Sequence, residues 1–445
     1  MGNDGPNDPV DIVGIGFGPA NLALAIAIEE HNRVCAPDQR LTARFIERQE
    51  RFGWHRGMLL EGTTMQVAFP KDLVTLRNPT SEYSFFAYLH DRNRLIDFVN
   101  HQTFFPTRRE FHDYLEWAAG RVDADVRYGR SVTSVQPGER TDGRTDQLVV
   151  EVDDGSRIVA RNVVVGVGLQ ECIPSWATRS PRCFHNHSFL PRIAELPEVR
   201  HNRFVVLGAG QSAAEVVQYL YRAFPHAEVY SVFARWGYSP ADDSPYANRI
   251  FDPATVDELH RAPAGERARL LALHRGTNYS VVDLELINEL YAWEYQERVN
   301  GARRLFMRRA SEVVEVADAE DGIEVGVRSM IDGLTDTLMC DALVLATGFR
   351  PLSLKPLLGD LVPDDRREVL RDYRVPTAPD VTAGVYLQGG TEHTHGLTSS
   401  LLSNVSVRAG EVLASVVARR GVNDSLARVE QSERRTMKTV SIPVR

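Results

Sequence analysis

Two glycine-rich turns are the parts of this sequence whose residue types and spacing point most clearly to chemistry. The first has the pattern Gly14-x-Gly16-x-Gly18-Pro19 and follows an apolar run that begins at residue 10. Glycines permit a tight turn and a close approach to a pyrophosphate, and the following helix offers free N–H groups. Pro19 replaces the usual third glycine and suits a helix's first turn. The pattern predicts a dinucleotide-binding turn, and a purely structural glycine turn is the alternative.

An acidic residue supports the first turn. Glu47 stands at the end of the next apolar run, residues 43–46. An acid at this place in a dinucleotide-binding fold accepts hydrogen bonds from the adenosine ribose. The gap exceeds the usual ~20 residues, and we interpret the polar stretch 30–40 as a long loop that accounts for it. Glu47 is therefore a candidate ribose ligand, with an ordinary surface charge as the alternative.

The second turn repeats this logic with a different residue at the end of the next strand. Its glycines are Gly208 and Gly210, and the apolar run 229–234 that follows its helix ends at Arg235. An acid would repel a 2′-phosphate, whereas an arginine can pair with it bidentately. This site is predicted to prefer NADPH over NADH, with a solvated surface arginine as the alternative.

Two dinucleotide turns in one chain predict electron transfer from NADPH to FAD. A disulfide reductase would need a redox-active cysteine pair, but Cys35, Cys172, Cys183 and Cys340 are widely spaced and form no CxxC motif. The remaining route delivers electrons to O₂, so that a flavin C4a-hydroperoxide transfers one oxygen atom.

Bulk composition indicates an ordinary globular protein. The chain has 445 residues, of which 43% are hydrophobic and 25% charged, and its net charge is -9. The acidic balance argues against nucleic-acid binding, and no apolar stretch approaches the ~20 residues of a membrane span. The first ten residues show no signal-peptide pattern, so we expect a cytoplasmic protein without a membrane partner. We also expect a homo-oligomer, either a dimer or a tetramer.

The predicted fold is α/β, with two Rossmann-like dinucleotide-binding domains and a small helical substrate-binding insertion. Apolar runs that end in glycine and lead into a helix are typical of parallel sheets. The FAD domain is predicted to be discontinuous, over residues 9–200 and 341–420, with the NADPH domain at 201–340. Residues 240–300 would form the substrate-binding segment, which is helical from about 253. Residues 421–445 are polar and charged and are predicted to be a loose tail.

Six segments resemble a known family: 52–58, 65–81, 242–248, 277–282, 346–348 and 395–403. Together they closely resemble the siderophore-type N-hydroxylating flavin monooxygenases, above all the L-ornithine N5-monooxygenases, over roughly residues 9–415. The chain departs from the family at Pro70, where leucine is usual. Proline fixes φ and removes an N–H group, so the path into Lys71 is expected to differ slightly.

The resemblance implies further contact residues, and together with the two glycine turns they form three groups. The FAD group is Gly14, Gly16, Gly18, Pro19, Glu47, Trp54, His55, Gln66, Val132, Ser400, Leu401, Leu402 and Ser403. The NADPH group is Gly208, Ala209, Gly210, Gln211, Ser212, Arg235, Asn278, Tyr279 and Ser280. The substrate group is Lys71, Asn248, Asn278 and Ser403.

These residue types suit an amino-acid substrate. Lys71 supplies a compact positive charge for a carboxylate, and Asn248 and Asn278 each carry a donor and an acceptor. A surface lysine and an asparagine that caps the turn after Pro245 are the alternatives, and Trp54 and His55 could be plain core residues. No metal site is expected, because His393 and His395 lack an accompanying ligand cluster.

The implied reaction is the FAD-, NADPH- and O₂-dependent hydroxylation of L-ornithine to N5-hydroxy-L-ornithine, in siderophore or related biosynthesis. The resemblance also implies that bound NADP⁺ shields the hydroperoxide. No catalytic side chain is expected, because the cofactor delivers the oxygen while the protein orients the substrate and excludes water. L-Lysine, a diamine or another amino acid remains an alternative substrate, and a non-catalytic flavin-binding protein is a remote alternative function.

Overall fold

The computed structural model describes residues 9–140, 143–196, 202–362 and 368–420, so the tail predicted at 421–445 lies outside the described residues. The strands are, in chain order, β1 (Val10–Ile15), β2 (Ala43–Glu47), β3 (Asp125–Tyr128), β4 (Val132–Pro137), β5 (Leu148–Val152), β6 (Arg157–Val165), β7 (Leu169–Glu171), β8 (Cys183–His185), β9 (Arg203–Leu207), β10 (Glu228–Val232), β11 (Leu305–Arg308), β12 (Ser311–Ala319), β13 (Gly322–Ser329), β14 (Thr335–Cys340), β15 (Ala342–Leu345), β16 (Phe349–Pro351) and β17 (Gly384–Leu387). The α-helices are α1 (Pro19–Val34), α2 (Phe85–Asp91), α3 (Leu95–His101), α4 (Arg108–Arg121), α5 (Phe189–Ala194), α6 (Gln211–Ala223), α7 (Pro253–Arg261), α8 (Ala264–Leu273), α9 (Leu284–Asn300), α10 (Lys355–Leu358), α11 (Glu392–His395) and α12 (405–420).

The first sheet holds the first glycine turn. Its strand order is β3-β2-β1-β6-β5-β4, and β17 pairs with β6. The strands β3, β2, β1, β6 and β17 are parallel, while β4 and β5 are antiparallel additions. Ile12 of β1 packs in the cluster that contains α1, and Val13 packs in another cluster on the opposite face. Because both faces are covered, β1 is continuously apolar from Ile12 to Ile15 rather than alternating.

The second sheet holds the second turn and is parallel throughout, in the order β11-β10-β9-β15-β8. Val206 of β9 packs with α6 and α9 on one face. Val205, its neighbour, packs on the other face against the antiparallel sheet β12-β13-β14. Two strand–turn–helix units, one on a mostly parallel sheet and one on a wholly parallel sheet, confirm the predicted α/β fold with two dinucleotide-binding domains.

Two strands, β8 and β15, belong to the second sheet although the sequence analysis predicted them in the FAD domain. Strand β15 was predicted to open the second part of the FAD domain at residue 341, but it pairs with β9 and β8 of the second sheet. Strand β8 lies inside the predicted first part, 9–200, and joins the same sheet. The chain crosses between the domains through the antiparallel pair β7 and β16. An apolar run that ends in glycine has the same pattern in either sheet, so the sequence did not specify which sheet β15 joins.

Residues 240–300, the predicted substrate-binding segment, are mostly helical, as predicted. The helices α7, α8 and α9 occupy the region predicted from about 253 to 300, and a 3-10 helix, Ala247–Phe251, precedes them. Helix α9 packs on the second sheet. In the part of the chain that the structure describes, no helix is both long and apolar enough to cross a bilayer.

Candidate active site

The first glycine turn is fixed by its own backbone and by a side chain of the helix that follows. Gly16 has a φ of 84°, and a Cβ atom there would lie 2.6 Å from the carbonyl oxygen of Gly166, so other residues would strain this turn. Asn21 Nδ2 donates to the Gly16 carbonyl oxygen over 2.7 Å. Gln388 Nε2 in turn donates to Asn21 Oδ1 over 3.3 Å. Neither Asn21 nor Gln388 belongs to the glycine pattern, and the sequence analysis missed both.

Glu47, the predicted ribose ligand, ends β2 as a side chain that is only 5% exposed. Its carboxylate accepts hydrogen bonds from the backbone N–H groups of Phe17 (2.6 Å) and Gln49 (2.8 Å). Arg130 N donates to the Glu47 carbonyl oxygen over 3.0 Å, and this brings the predicted contact Val132 to the same edge. The alternative of a surface charge at Glu47 is therefore wrong.

Both glycine turns leave room for a pyrophosphate. Helix α1 begins at Pro19 and α6 at Gln211, and neither N-terminus has a side-chain cap. A Cβ atom at Gly18 would meet nothing within 4 Å, and at Gly210 it would meet only the backbone of Ser280, at 3.6 Å or more. Uncapped helix N-termini beside open space are ready-made anion sites. Both turns therefore fit a dinucleotide.

The second turn gathers most of the predicted NADPH group. Gly208 has a φ of 146°, and a Cβ atom there would lie 2.3 Å from the backbone carbonyl oxygen that follows β15. Ala209 and Ser212 lie between β9 and the first turn of α6. Arg235 is exposed at the end of the neighbouring strand, and its Nη1 donates to the Ser280 carbonyl oxygen over 2.9 Å. The predicted segment that contains Ser280 therefore lies directly against this turn.

The segments that carry three predicted substrate residues meet at Phe251. The Nζ atom of Lys71 lies over the ring of Phe251, 5.8 Å from its centroid. Asn248 belongs to the 3-10 helix that ends at Phe251. The Phe251 carbonyl oxygen accepts a hydrogen bond from Asn404 Nδ2 over 3.2 Å, and Asn404 directly follows Ser403. Segments far apart in the sequence are thus brought to one place.

The fourth predicted substrate residue, Asn278, lies near Phe251 because its neighbour Tyr279 packs there. Asn278 directly precedes Tyr279, which packs against a small apolar cluster. The cluster consists of Ile250, Phe251, Leu259 and Leu397, with Leu271 and Leu401 also packed against it. It joins the 3-10 helix of Asn248, the segment Asn278–Ser280 and the predicted flavin contact Leu401, and it forms an apolar wall at the domain junction.

Lys71 and Asn248 differ in how the protein holds them. Lys71 is half-buried, and burial lowers the pKa of its ammonium group, while the charge of Asp252 partly opposes that shift. The alternative of a freely solvated surface lysine is therefore wrong. Asn248 Nδ2 donates to the Asp243 carbonyl oxygen over 2.7 Å, so this side chain does cap a turn, the alternative considered from the sequence. The side-chain carbonyl of an asparagine remains an acceptor in that arrangement.

The segment predicted to close over the flavin is made of two short 3-10 helices, Leu397–Ser400 and Leu402–Asn404. Ser400 Oγ accepts a hydrogen bond from Gly390 N over 3.1 Å. Arg408 of α12 is fully buried, and its Nη1 donates to the carbonyl oxygens of Thr398 (3.1 Å) and Ser399 (2.8 Å). Side chains outside the predicted set therefore fix the shape of this segment.

Residues 8–351 match the L-lysine 6-monooxygenase/L-ornithine 5-monooxygenase family. The chain is 41% identical over 401 residues to the L-ornithine N(5)-monooxygenase of Burkholderia cepacia, which covers 87% of this chain and 89% of that protein. The chain belongs to this family. The structure of the ornithine N-hydroxylase of Kutzneria sp. 744, with reduced FAD, NADP⁺ and L-ornithine, is 43% identical, with a TM-score of 0.88 over 93% of this chain and 100% of that one. The ornithine hydroxylase of Pseudomonas aeruginosa is 36% identical, with a TM-score of 0.86 over 93% and 100% of the two chains.

Family membership confirms the predicted cofactors, FAD and NADPH, and the predicted class of flavin N-monooxygenase. Two of the FAD contacts predicted for this monooxygenase, Trp54 and His55, are partly buried aromatic residues. The ring of Trp54 packs edge-on against that of His55 at 4.7 Å between centroids. His55 has a left-handed φ of 49°, and burial lowers the pKa of its imidazole to about 3, with smaller effects from His187 and Arg108. The imidazole is thus neutral near pH 7.

Gln66 and Gln211, predicted contacts of different cofactors, meet at one carboxylate that the sequence analysis missed. Asp283 Oδ2 accepts hydrogen bonds from Gln66 Nε2 (2.7 Å) and from Gln211 Nε2 (2.9 Å). Asp283 N donates back to Gln211 Oε1 over 2.8 Å. An ion pair also joins the two domains of this monooxygenase, since Arg108 donates to both carboxylate oxygens of Glu215 over 2.8 Å each. These residues carry no motif, and only the fold places them together.

His395, one of the two histidines that could suggest a metal site, is engaged by its protein neighbours. His395 is fully buried; its Nδ1 lies 2.8 Å from Thr394 Oγ1, and its ring stacks on Tyr373 at 4.2 Å between centroids. Across the described residues, no group of three or more histidine, cysteine or acidic side chains could hold a metal ion. The packing of His395 is that of a core histidine in this monooxygenase.

Proposed function

We propose that this chain hydroxylates the side-chain amine of L-ornithine at N5, with FAD and NADPH as cofactors and O₂ as the second substrate. The observation that carries the proposal is the convergence of the segments that bear Lys71, Asn248, Asn278 and Ser403 on Phe251 and its apolar cluster. The ornithine bound in the Kutzneria structure supports the substrate. The product, N5-hydroxy-L-ornithine, is a building block for siderophores or related natural products.

Lys71 is proposed to bind the substrate carboxylate. Lysine occurs at only three positions of this arginine-rich chain, 71, 355 and 438. A lysine is a compact point charge, whereas an arginine presents a wide planar fork. Since Lys71 is half-buried beside an aromatic ring, its charge would act in a less polar medium than water, where its attraction to a carboxylate is stronger.

The two asparagines and Ser403 are proposed to complete the hold on the substrate. Asn248 and Asn278 can each satisfy a donor and an acceptor of the amino-acid end. With that end fixed, the length of the substrate side chain sets the position of the reacting nitrogen. The nitrogen must be uncharged when it takes up oxygen, so its proton has to leave first. The apolar cluster around Phe251 excludes water from this junction.

The cofactors are assigned to the two turns. The first turn with Glu47 would hold FAD, and Trp54, His55, Gln66, Val132 and Ser400–Ser403 would complete that site. The second turn with Arg235 would hold NADPH, and Asn278–Ser280 would lie between its nicotinamide and the substrate. When bound, reduced FAD activates O₂ and supplies the oxygen atom that the amine receives.

L-Lysine is the second candidate substrate, because the family includes lysine enzymes. An extra methylene costs only about 1–3 kcal/mol in binding, but a displacement of about 1 Å can slow the reaction on the order of 10²-fold. Lysine should therefore bind and stimulate NADPH oxidation, while the enzyme releases hydrogen peroxide in place of hydroxylated product.

The test is the ratio of hydroxylated product to NADPH consumed over a panel of L-ornithine, L-lysine and diamines, with the product identified by mass spectrometry. We expect a ratio near one for ornithine and far lower for lysine. A ratio for lysine equal to or above that for ornithine would refute the substrate assignment. The cytoplasmic location and the homo-oligomeric state stay predictions from the sequence.

A further inference from the structure

Glu392 lies between two segments of the candidate site, and neither the glycine patterns nor the family motifs indicated it. The hydroxyl group of Tyr279 donates to Glu392 Oε1. The side chain of Ser400 forms a second hydrogen bond with the same carboxylate. Ser400 Oγ also accepts from Gly390 N over 3.1 Å. One carboxylate thus joins the nucleotide and substrate segment to the segment predicted to close over the flavin.

The connection extends to a proposed substrate residue. The side chain of Asn278 forms a hydrogen bond with Tyr279. A continuous polar path therefore runs from Asn278 through Tyr279 and Glu392 to Ser400, although Tyr279 and Glu392 are 113 residues apart in the chain. Burial raises the pKa of Glu392, and burial together with Glu392 raises the pKa of Tyr279. The pair is therefore partly withdrawn from water, where its hydrogen bond is stronger.

We infer that Glu392 is a positioning residue that fixes Asn278–Ser280 in register with Ser400–Ser403. This inference rests on the proposed function. Tyr279 and Leu401 also meet in the apolar cluster, but apolar contact has no preferred direction and tolerates sliding. Hydrogen bonds to a shared carboxylate have directional geometry, so they hold the two segments at one distance. That distance sets where the substrate amine lies relative to the flavin.

Two conservative substitutions test this role by hydroxylation. Tyr279→Phe removes only the donating hydroxyl, and Glu392→Gln removes the charge that both hydroxyls bind. We expect Glu392→Gln to keep its flavin and to oxidise NADPH, and we expect product per NADPH to fall about tenfold in both variants, the loss that one hydrogen bond to a charged group represents. The double variant should lose no more than the worse single variant, because both changes break the same connection.

A second readout does not depend on activity. Hydrogen exchange would be followed in peptides that cover residues 275–283 and 396–404 of the flavin-loaded protein. Tyr279→Phe lies in the first peptide and Glu392→Gln in neither, and each substitution should increase exchange in both peptides. Tyr221→Phe is the matched control, because Tyr221 donates to Glu297 Oε1 over 3.0 Å away from the site. The control should leave exchange in both segments and product per NADPH unchanged.

The outcomes separate this inference from the proposed function. Exchange that changes only in the mutated segment, or wild-type product per NADPH in both variants, would overturn the positioning role. A wild-type enzyme that hydroxylates no amine in the panel would overturn the proposed function, and the exchange experiment would still decide whether Glu392 couples the segments. If Glu392→Gln fails to fold, Tyr279→Phe alone carries both readouts.

Discussion

Each dinucleotide turn lies between a strand and a helix, and each has a charged residue near the end of the next strand that we call its anchor. The two anchors, Glu47 and Arg235, are held in opposite ways. Glu47, beside the first turn, is buried and accepts two backbone hydrogen bonds. Arg235, beside the second turn, is exposed and donates to the carbonyl oxygen of Ser280. The first anchor is thus in place before a nucleotide arrives. The second can exchange a backbone partner for a phosphate, which binds it more strongly.

This difference suits the proposed assignment of FAD to the first turn and NADPH to the second. FAD is reduced and reoxidised within one catalytic cycle and need not leave, whereas NADPH must enter and NADP⁺ must depart. A preorganised anchor needs no rearrangement on binding and so favours lasting retention of a nucleotide, whereas an anchor that must first release a backbone partner binds less tightly and favours exchange. The same turn can therefore serve a resident cofactor or an exchanging one, according to the burial of the residue at the end of the next strand.

The largest effect is expected from substitution of Glu47, the buried anchor. Glu47→Ala would orphan the N–H groups of Phe17 and Gln49, each at a cost of about 1–3 kcal/mol, and would remove the proposed ribose contact. We expect the protein to purify largely without flavin, with FAD affinity at least about 100-fold weaker and a lower melting temperature. The 450 nm absorbance per protein and an FAD titration measure this. Glu47→Gln, which keeps one acceptor, should lose less, and full flavin content in Glu47→Ala would break the comparison.

Substitution of Arg235, the exposed anchor, should affect only the binding of NADPH. A charge-assisted bidentate contact is worth about 1.5–3 kcal/mol, so Arg235→Ala should raise the KM for NADPH more than tenfold. Flavin content and the KM for NADH should stay unchanged. Arg309→Ala is the control, because Arg309 is an exposed neighbour that lies over Trp236. A wild-type enzyme that uses NADH as well as NADPH would contradict the assignment of Arg235.

The sequence predicted the local parts of the molecule better than their arrangement. Both glycine turns, the strands before them and the helices after them follow from short patterns with a direct physical cause. The membership of β15 in the second sheet does not, because Ala342–Leu345 has the same apolar pattern in either sheet. Position in a sheet depends on pairing over long distances, which a local pattern does not encode.

The candidate site shows the same limit. Lys71, Asn248, Asn278 and Ser403 were predicted from resemblance, and only the fold places their segments around Phe251. The residues that were missed act through others. Asn21 fixes a turn, Asp283 joins two glutamines, and Glu392 joins two segments. Such residues have ordinary neighbours in the sequence, so only their contacts identify them.

The smallest expected effect is a pH dependence of KM that distinguishes the two cationic residues, Arg235 and Lys71. An arginine stays charged over the working range of pH. Burial lowers the pKa of Lys71 below its ordinary value of about 10.4, so Lys71 loses its charge earlier as the pH rises. The charged form is the one that binds a carboxylate. The KM for ornithine should therefore rise a few-fold at alkaline pH, while the KM for NADPH stays flat over the same range.

Ornithine itself titrates in this range, so the experiment needs a variant that changes only the anchor. Lys71→Arg keeps a positive charge at every working pH, although its wider head should raise the KM for ornithine overall. Both enzymes share the titration of the substrate, so the ratio of their KM values isolates Lys71. That ratio, wild type over variant, should increase with pH, and Lys355→Arg, at an exposed lysine paired with Asp360, should give a constant ratio. A constant ratio for Lys71→Arg as well would mean that the charge of Lys71 does not bind the substrate carboxylate.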